Sequence, residues 1–285
     1  MELKKIGLLG GRGYVGQEIF KVLSQHDFLK ITSVFSTSKS GHQVDQAMDQ
    51  SLIYQDLATD KIKLSDEDAF ILALPNNQSQ PYIDLIHRHN PKAIILDLSA
   101  DNRFDDDWEY RVPELSKPKQ SSRISNPGCY ASAMQFMLAP LKNILDGPAH
   151  FFGISGYSGA GASPNNRNNL ESLKDNILPY SLVSHLHEKE VKANCYPNVL
   201  FTPHVGNFFR GILMTGNFTL TNAISLEDIT KIFNKYYENK ALIFIQDNVP
   251  NMQTVQNTSK VIIGGFEFDE KINRLTFCCT LDNLL

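Results

Sequence analysis

The chain has 285 residues, enough for two domains of ordinary size, each with its own core. Apolar residues make up 42% and charged residues 20%, with a formal net charge of −4, which is the balance of a globular protein and not of a nucleic-acid or membrane-surface binder. No apolar run approaches the roughly 18 residues that span a bilayer, and four cysteines without metal-ligand spacing or disulfide density point to a reduced, cytoplasmic chain.

Lys4-Lys5 ahead of Ile6–Leu9 has the outline of a signal peptide, but Arg12 breaks the apolar run and a short buried strand fits it better. Helix Val15–Leu23 follows, then strands Ile31–Phe35 and Ala69–Leu74, helix Gln80–His89 and strand Ala93–Leu98. Strand and helix in alternation predict a Rossmann-type, doubly wound parallel sheet over residues 1–128, an α/β domain with helices on both faces. Ser116–Ser122, rich in Lys, Pro and Ser, reads as a linker. From Cys129 on the pattern changes. A helix over Ala131–Leu145 precedes strands at His150–Ser155, Val199–Val205, Gly211–Leu220, Ala241–Gln246, Val261–Asp269 and Arg274–Thr280. One further strong helix, Leu226–Tyr237, opens on Ser225 as N-cap with Asp228 three residues on. Long strands with few helices predict a second, α+β domain over residues 129–285, its mostly antiparallel sheet covered on one face.

Gly10-Gly11-Arg12-Gly13-Tyr14-Val15-Gly16 lies between the first strand and the first helix, where a glycine-rich turn brings backbone amides against a pyrophosphate. Its Gly-x-x-Gly-x-x-Gly spacing departs from the commoner Gly-x-Gly-x-x-Gly, so its place in the alternating domain carries the reading. The cofactor type follows from the second strand. NAD sites place an acid about 20 residues after the glycines, whereas here the strand runs into Ser36-Thr37-Ser38-Lys39. Hydroxyls and a lysine suit a 2′-phosphate, so NADP is expected.

In Asn126-Pro127-Gly128-Cys129-Tyr130 a turn delivers Cys129 to the first turn of a helix, where amides and macrodipole stabilise a thiolate. Cys129 is read as a nucleophile, and Cys195, Cys278 and Cys279 as packing residues. His185 and His187, in Ser184-His185-Leu186-His187-Glu188, are candidate acid/bases. Alternate residues do not share a helix face, so if this stretch is helical only one imidazole is expected to meet Cys129. The same histidines with Glu190 and His204 could also ligate a metal, but no other ligand cluster supports that, and none is expected. Ligands gather beyond the carboxyl ends of open parallel sheets, which makes Ser99 and Arg103 of Asp97–Arg103, together with Asn126, candidates for the substrate. Ser155–Gly161 is a second loop suited to anions.

Taken together, Gly10–Gly16, Ala73-Leu74-Pro75, Asp97–Arg103, Tyr110–Leu115, Asn126–Ala133, Ser158–Gly161, His185–Glu190, Phe201–His204, Arg210-Gly211 and Asp282-Asn283-Leu284 resemble the N-acetyl-gamma-glutamyl-phosphate reductase family. The resemblance runs from Lys5 to Leu285, and Pro179-Tyr180-Ser181-Leu182 resembles its fungal-like branch. It implies NADPH-dependent reduction of N-acetyl-L-glutamyl 5-phosphate to the 5-semialdehyde, with phosphate released, in arginine biosynthesis. It also implies a thioester on Cys129, an acid/base within the His185/His187 pair, cofactor contacts at Pro75, Ser158 and Gly159, and homo-oligomers formed through the second domain. The amides of Gly128–Tyr130 are expected to steady the tetrahedral oxyanion.

Two departures stand out. The family reads Asp-Phe-Arg where this chain has Asp101-Asn102-Arg103 with Phe104 next, which changes the local packing. Family members also continue past Asp-Asn-Leu-Leu into a further helix, so a chain ending at Leu285 is expected to bind NADPH weakly and melt early. Rival readings are aspartate-semialdehyde dehydrogenase or aminoadipyl-phosphate reductase, which share the chemistry, and a catalytically impaired cofactor-binding regulator. The enzymes would differ in the groups that meet the substrate's distal end, for which Tyr157–Ala162 and Asn165–Asn169 are the candidates.

Overall fold

The computed structural model describes residues 2–44, 52–222 and 224–285. The chain forms two compact units, Met1–Pro127 and Gly128–Leu285.

In the first unit β1 (Lys4–Leu9), α1 (Tyr14–Ser24), β2 (Leu29–Phe35), β3 (Tyr54–Gln55), β4 (Ala69–Leu72), α2 (Gln80–His89), β5 (Ile94–Asp97), β6 (Glu109–Tyr110) and β7 (Arg123–Ser125) follow in chain order. The strands make one sheet in the order β3-β2-β1-β4-β5-β7-β6, and every pairing is parallel. The order reverses direction at β1, the place where doubly wound sheets take their ligands. Two apolar clusters fill its faces. Leu8, Phe20 and Val34 pack under α1, while Leu9, Phe35, Phe70, Leu72, Ile83 and Ile86 pack under α2. Both faces are covered, which explains the near-continuous apolar strands.

Ser116–Ser122 is not a linker between units. Glu109, buried, accepts from the amides of Lys119 at 3.0 Å and Ser121 at 3.4 Å. The segment then feeds β7, which pairs with β5, so the first unit continues to Pro127.

The second unit comprises α3 (Cys129–Leu138), β8 (Ala149–Gly156), α4 (Leu170–Leu173), β9 (Ile177–Pro179), α5 (Leu186–Asn194), β10 (Val199–Gly206), β11 (Ile212–Thr219), α6 (Leu226–Tyr237), β12 (Ile243–Gln246), β13 (Val261–Asp269) and β14 (Arg274–Leu281). Its sheet runs β12-β13-β14-β11-β8-β10-β9, antiparallel except where β12 meets β13 and β8 meets β10. Helix α3 is shorter than its apolar pattern predicts. Ala139 precedes Pro140, whose ring and missing N–H close the helix at Leu138. Ser225 caps α6 as expected, its hydroxyl accepting from the Asp228 amide at 3.1 Å.

Register puts Phe151, Phe201, Met214, Phe218, Phe277 and Ile263 on the buried face of this sheet, towards α3 and α6. The opposite face carries Phe152, Leu200 and Phe244, all more than 40% exposed. No helix among the described residues is long and apolar enough to cross a membrane.

Candidate active site

Two glycines of the first unit's turn cannot be replaced without cost. Gly10 has φ +83°, and a Cβ there would collide with the Ala73 carbonyl oxygen. A Cβ on Gly16 would meet the Gly11 backbone at 2.7 Å and the Gly10 oxygen at 2.8 Å, so the helix start packs directly on the turn. Gly13 is the N-cap of α1 and has no capping side chain, and the helix's first turn carries no acid. Backbone amides and a helix N-terminus therefore face the place where a pyrophosphate would lie, with no carboxylate in competition. These residues fit a dinucleotide. After β2, Thr37, Ser38 and Lys39 are exposed, whereas Ser36 is buried with its amide bonded to the Gln55 carbonyl at 3.0 Å. Pro75 is exposed just beyond the carboxyl end of β4.

The Asp97–Arg103 segment is a buried polar knot. Asp97 is fully buried and accepts from the Ser79 hydroxyl at 3.0 Å, the Ser99 hydroxyl at 2.9 Å and the Asn102 amide at 2.7 Å. Asn102 therefore satisfies a buried carboxylate, and Phe104 turns out to solvent. Asp101 in turn accepts from the amides of Asn77 and Ser79. Arg103, also buried, donates to the carbonyls of Asn126 at 2.8 Å and Leu98 at 3.0 Å. Ser99 is thus tied to Asp97, and Arg103 to the carbonyls of Leu98 and Asn126, whose own amide donates to the Asp97 carbonyl at 2.9 Å.

In the second unit Cys129 is the first residue of α3, with Gly128 as N-cap. Gly128 N–H donates to Glu190 Oε1 at 2.8 Å, and Glu190 is fully buried. This revises one expectation, because the Gly128 amide is committed to Glu190 and is not an oxyanion donor. The amides of the helix's own first turn, Tyr130 among them, have no carbonyl four residues back within the helix to bind. Tyr130 is buried and donates its hydroxyl to the His204 carbonyl at 2.6 Å.

His185 is the N-cap of α5, and its Nδ1 accepts from the His187 amide at 3.1 Å. Its backbone is extended, φ −56° and ψ 144°, so the helical rotation between alternate residues does not apply to the pair. The two imidazoles consequently stand 5.0 Å apart, and both meet the Tyr130 ring, at 6.3 and 6.0 Å. Tyr180 lies 5.4 Å from His185, and the Arg167 guanidinium lies over the Tyr180 ring, 4.9 Å from its centre.

The electrostatics follow from this crowding. Burial, assisted by the Arg167 charge, lowers His185 to about 4, with the Glu188 carboxylate opposing. Burial and then the neighbouring Cys129 charge push Tyr180 up to about 12, against the pull of Arg167. Burial likewise raises Tyr130, as do Tyr180 and Cys129. Of the other cysteines, Cys279 is fully buried and its thiol strongly raised by burial, and Cys195 is raised in the same way. None of the four cysteines forms a disulfide. No group of three or more His, Cys, Asp or Glu side chains among the described residues is arranged to hold a metal ion.

Ser158 sits in a 3-10 turn after β8, buried, its hydroxyl accepting from Asn283 Nδ2 at 2.9 Å, with Gly159 beside it. The Asp282 carboxylate, also buried, pairs with Arg210 at 2.7 Å and accepts from the Asn257 amide at 2.7 Å. Sequence reasoning met Glu190 only as a metal ligand and reached Arg167 only as an unnamed member of the Asn165–Asn169 run. A carboxylate three positions after His187 on a helix was the available signal for the first; nothing local marks the second.

A glycine-turn nucleotide domain followed by an α+β domain that opens on a helix-borne cysteine defines the semialdehyde dehydrogenase class. The family's NAD binding domain matches residues 5–123 and its dimerisation domain residues 129–283, and the chain belongs to that family. Within it, the chain is 41% identical to the N-acetyl-gamma-glutamyl-phosphate reductase of Xanthomonas campestris pv. campestris, over 98% of this chain and 90% of that one. It is 37% identical to a mitochondrial protein of Neurospora crassa, over 99% of this chain but 34% of that longer one. Among solved structures, aspartate semialdehyde dehydrogenase II of Vibrio cholerae superposes with a TM-score of 0.81 at 14% identity, covering 100% of this chain and 94% of that one. Aspartate semialdehyde dehydrogenase of Candida albicans, solved with NADP, gives 0.77 at 16%, over 98% and 94%. At such identity the likeness is one of fold.

Proposed function

We propose that this chain reduces N-acetyl-L-glutamyl 5-phosphate to N-acetyl-L-glutamate 5-semialdehyde, with release of phosphate, through a thioester on Cys129 and with NADPH as reductant. The observation that carries this reading is the helix-borne Cys129, whose neighbour Tyr130 packs on a pair of histidines, in a chain 41% identical to named reductases of that substrate.

The thiolate of Cys129 attacks the acyl carbon. The S–C bond forms, the C–O bond to phosphate breaks, and phosphate departs with the electron pair. The negative charge on the carbonyl oxygen is met by the first-turn amides of α3, a fixed array that needs no reorganisation. When bound, NADPH supplies the hydride that reduces the thioester carbon. Cys129 then leaves as thiolate while the aldehyde carbonyl re-forms.

The two imidazoles divide the remaining work. His185 Nδ1 already accepts a hydrogen bond, so the neutral ring carries its proton on Nε2. A neutral imidazole of lowered basicity donates a hydrogen bond but is not a proton shuttle near pH 7. His187 therefore takes the thiol proton of Cys129 before the attack and returns it once the thiolate has left, with His185 as a fixed neutral donor.

The cofactor is held by the turn Gly10–Gly16, by Thr37, Ser38 and Lys39 for the 2′-phosphate, and by Pro75, Ser158 and Gly159. Ser99, Arg103 and Asn126, the last with its carbonyl held by Arg103, contact the substrate. The protein works in the cytoplasm, where its thiols stay reduced. It forms homo-oligomers through the open sheet face that carries Phe152, Leu200 and Phe244, in the domain that the family uses for dimerisation.

The test is phosphate-dependent reduction of NADP with N-acetylglutamate, aspartate and N-acetylated aminoadipate semialdehydes compared side by side. N-acetylglutamate semialdehyde should give the highest kcat/KM. A preference for either of the others moves the assignment within the class, and cofactor binding without any turnover identifies a regulator.

A further inference from the structure

We propose that Arg167 receives the distal carboxylate of the substrate and so sets the length of acyl phosphate that this site accepts; the inference rests on the activity proposed above. Arg167 belongs to the asparagine-rich loop that follows the turn after β8, and the loop is built to hold it. Asn165 donates from Nδ2 to the carbonyls of Ala160 at 3.2 Å and Ser163 at 2.9 Å. Asn168 does the same to Gly161 and Ser163, both at 2.8 Å. Its Oδ1 accepts from the Asn165 amide at 2.8 Å, and Asn165 Oδ1 accepts from the Arg167 amide at 2.9 Å. Four side-chain bonds to carbonyls and two to amides stiffen a short loop around one exposed cation.

From this loop the guanidinium is laid on Tyr180, 4.9 Å from the ring centre. The next ring is His185, 5.4 Å from Tyr180, and then His187, 5.0 Å further, with Tyr130 in contact with both imidazoles. Arg167 thus stands one aromatic ring beyond the histidine pair. Its charge is met by that ring, and among the described residues no carboxylate pairs with it. Glu188, whose charge also acts on His185, is occupied, with Oε1 on Lys192 at 2.7 Å and Oε2 on the Phe201 amide at 2.9 Å. The effect of Arg167 on His185 agrees with this proximity.

The substrate carries two anionic ends. The phosphate is bonded to the carbon that Cys129 attacks. The carboxylate lies four C–C bonds away, roughly 5 Å in an extended chain at about 1.5 Å per bond. A planar guanidinium one ring removed from the histidines suits the second, since it can grip a carboxylate with two parallel hydrogen bonds. A four-carbon acyl phosphate would bring its carboxylate one bond short of that grip.

Kinetics in the reverse direction separate the two anions, because semialdehyde and inorganic phosphate are added independently. Arg167→Ala should raise the KM for N-acetylglutamate semialdehyde by about tenfold to a hundredfold, the worth of a charge-assisted hydrogen bond. The KM for phosphate and kcat should stay within about twofold. Arg167→Lys should recover only part of the loss. With the carboxylate of the semialdehyde replaced by a carboxamide, wild type and Arg167→Ala should perform alike. An unchanged KM for the semialdehyde, or a rise confined to phosphate, overturns the inference while wild-type turnover leaves the assigned reaction standing. Absence of wild-type turnover with N-acetylglutamate semialdehyde overturns both. Since Arg167 is exposed, an unchanged melting temperature of the variants confirms that kinetics alone are being read.

Discussion

Glu190 accepts the amide proton of Gly128 at 2.8 Å, across 62 positions of sequence, and so ties the body of α5 to the residue that launches Cys129. The bond is fully buried on the carboxylate side. It fixes the turn from which the nucleophile projects.

Glu190→Ala should therefore lower both stability and rate. It leaves the Gly128 amide unsatisfied in the interior, a loss of about 1–3 kcal/mol. Thermal unfolding should show a drop of several degrees, and kcat should fall with it. Glu190→Gln keeps an acceptor oxygen, so most of the melting temperature should return. If both variants melt like wild type, the bond does not brace the turn.

Cysteine labelling should follow the environments of the thiols. Iodoacetamide should modify Cys129 first, at the partly exposed start of α3, and Cys279 last, since it is fully buried with a raised thiol. Cys129→Ala should abolish turnover and leave NADPH affinity intact, because the glycine turn is untouched. Peptide mass mapping against time gives the order, and faster labelling of Cys195 would contradict the assignment of the nucleophile.

The histidines should separate in their pH behaviour. His187→Asn should cost kcat about 10²–10⁴-fold and remove a limb of the pH–rate profile. His185→Asn should lower kcat less and leave that limb in place, because His185, lowered to about 4, stays neutral across the working range. Its effect on stability has a definite sign. Unfolded histidine takes up a proton below about pH 6.5, whereas the folded ring resists until about 4. Stability is thus full above the unfolded value and is lost as pH falls towards the folded one. Denaturant titrations from pH 7 to pH 4 should show a shallower decline in His185→Asn than in wild type. Equal slopes would mean that His185 is not held neutral.

The cofactor loop yields a paired test. NADPH should exceed NADH in specificity constant, and Thr37→Glu with Lys39→Ala should narrow or invert the preference, since an acid repels a 2′-phosphate and suits a ribose hydroxyl. Gly10→Ala should weaken both cofactors alike and destabilise the fold, because φ +83° and the Ala73 carbonyl leave no place for a Cβ. Wild-type indifference between the two cofactors would count against the reading of Ser36–Lys39.

What the chain's sequence determined by itself was everything carried by neighbours along the backbone. The alternation of apolar strands and helices to Leu98, the glycine turn after β1, the missing acid after β2, the cap at Ser225 and the cysteine behind Pro127-Gly128 each depend on a handful of consecutive residues. Turn geometry, capping and helix dipoles act over one or two turns, so composition and spacing reveal them. Strands of two or three residues, such as β3, β6 and β9, are too short to show a period and emerge only through pairing. The site's finer parts are long-range. Tyr130 donates to a carbonyl 74 positions away, and Glu190 reaches back 62 to Gly128. Arg167 meets Tyr180 through space, from the loop that Asn165 and Asn168 hold. Ser99 and Arg103, read as ligands for substrate, acquire partners in the fold that the sequence does not announce, Asp97 and two backbone carbonyls. Side-chain polarity says what a residue can bind. Which partner it binds is decided by the closure of loops and the covering of sheet faces, because a buried polar group must be satisfied by whatever the fold brings beside it.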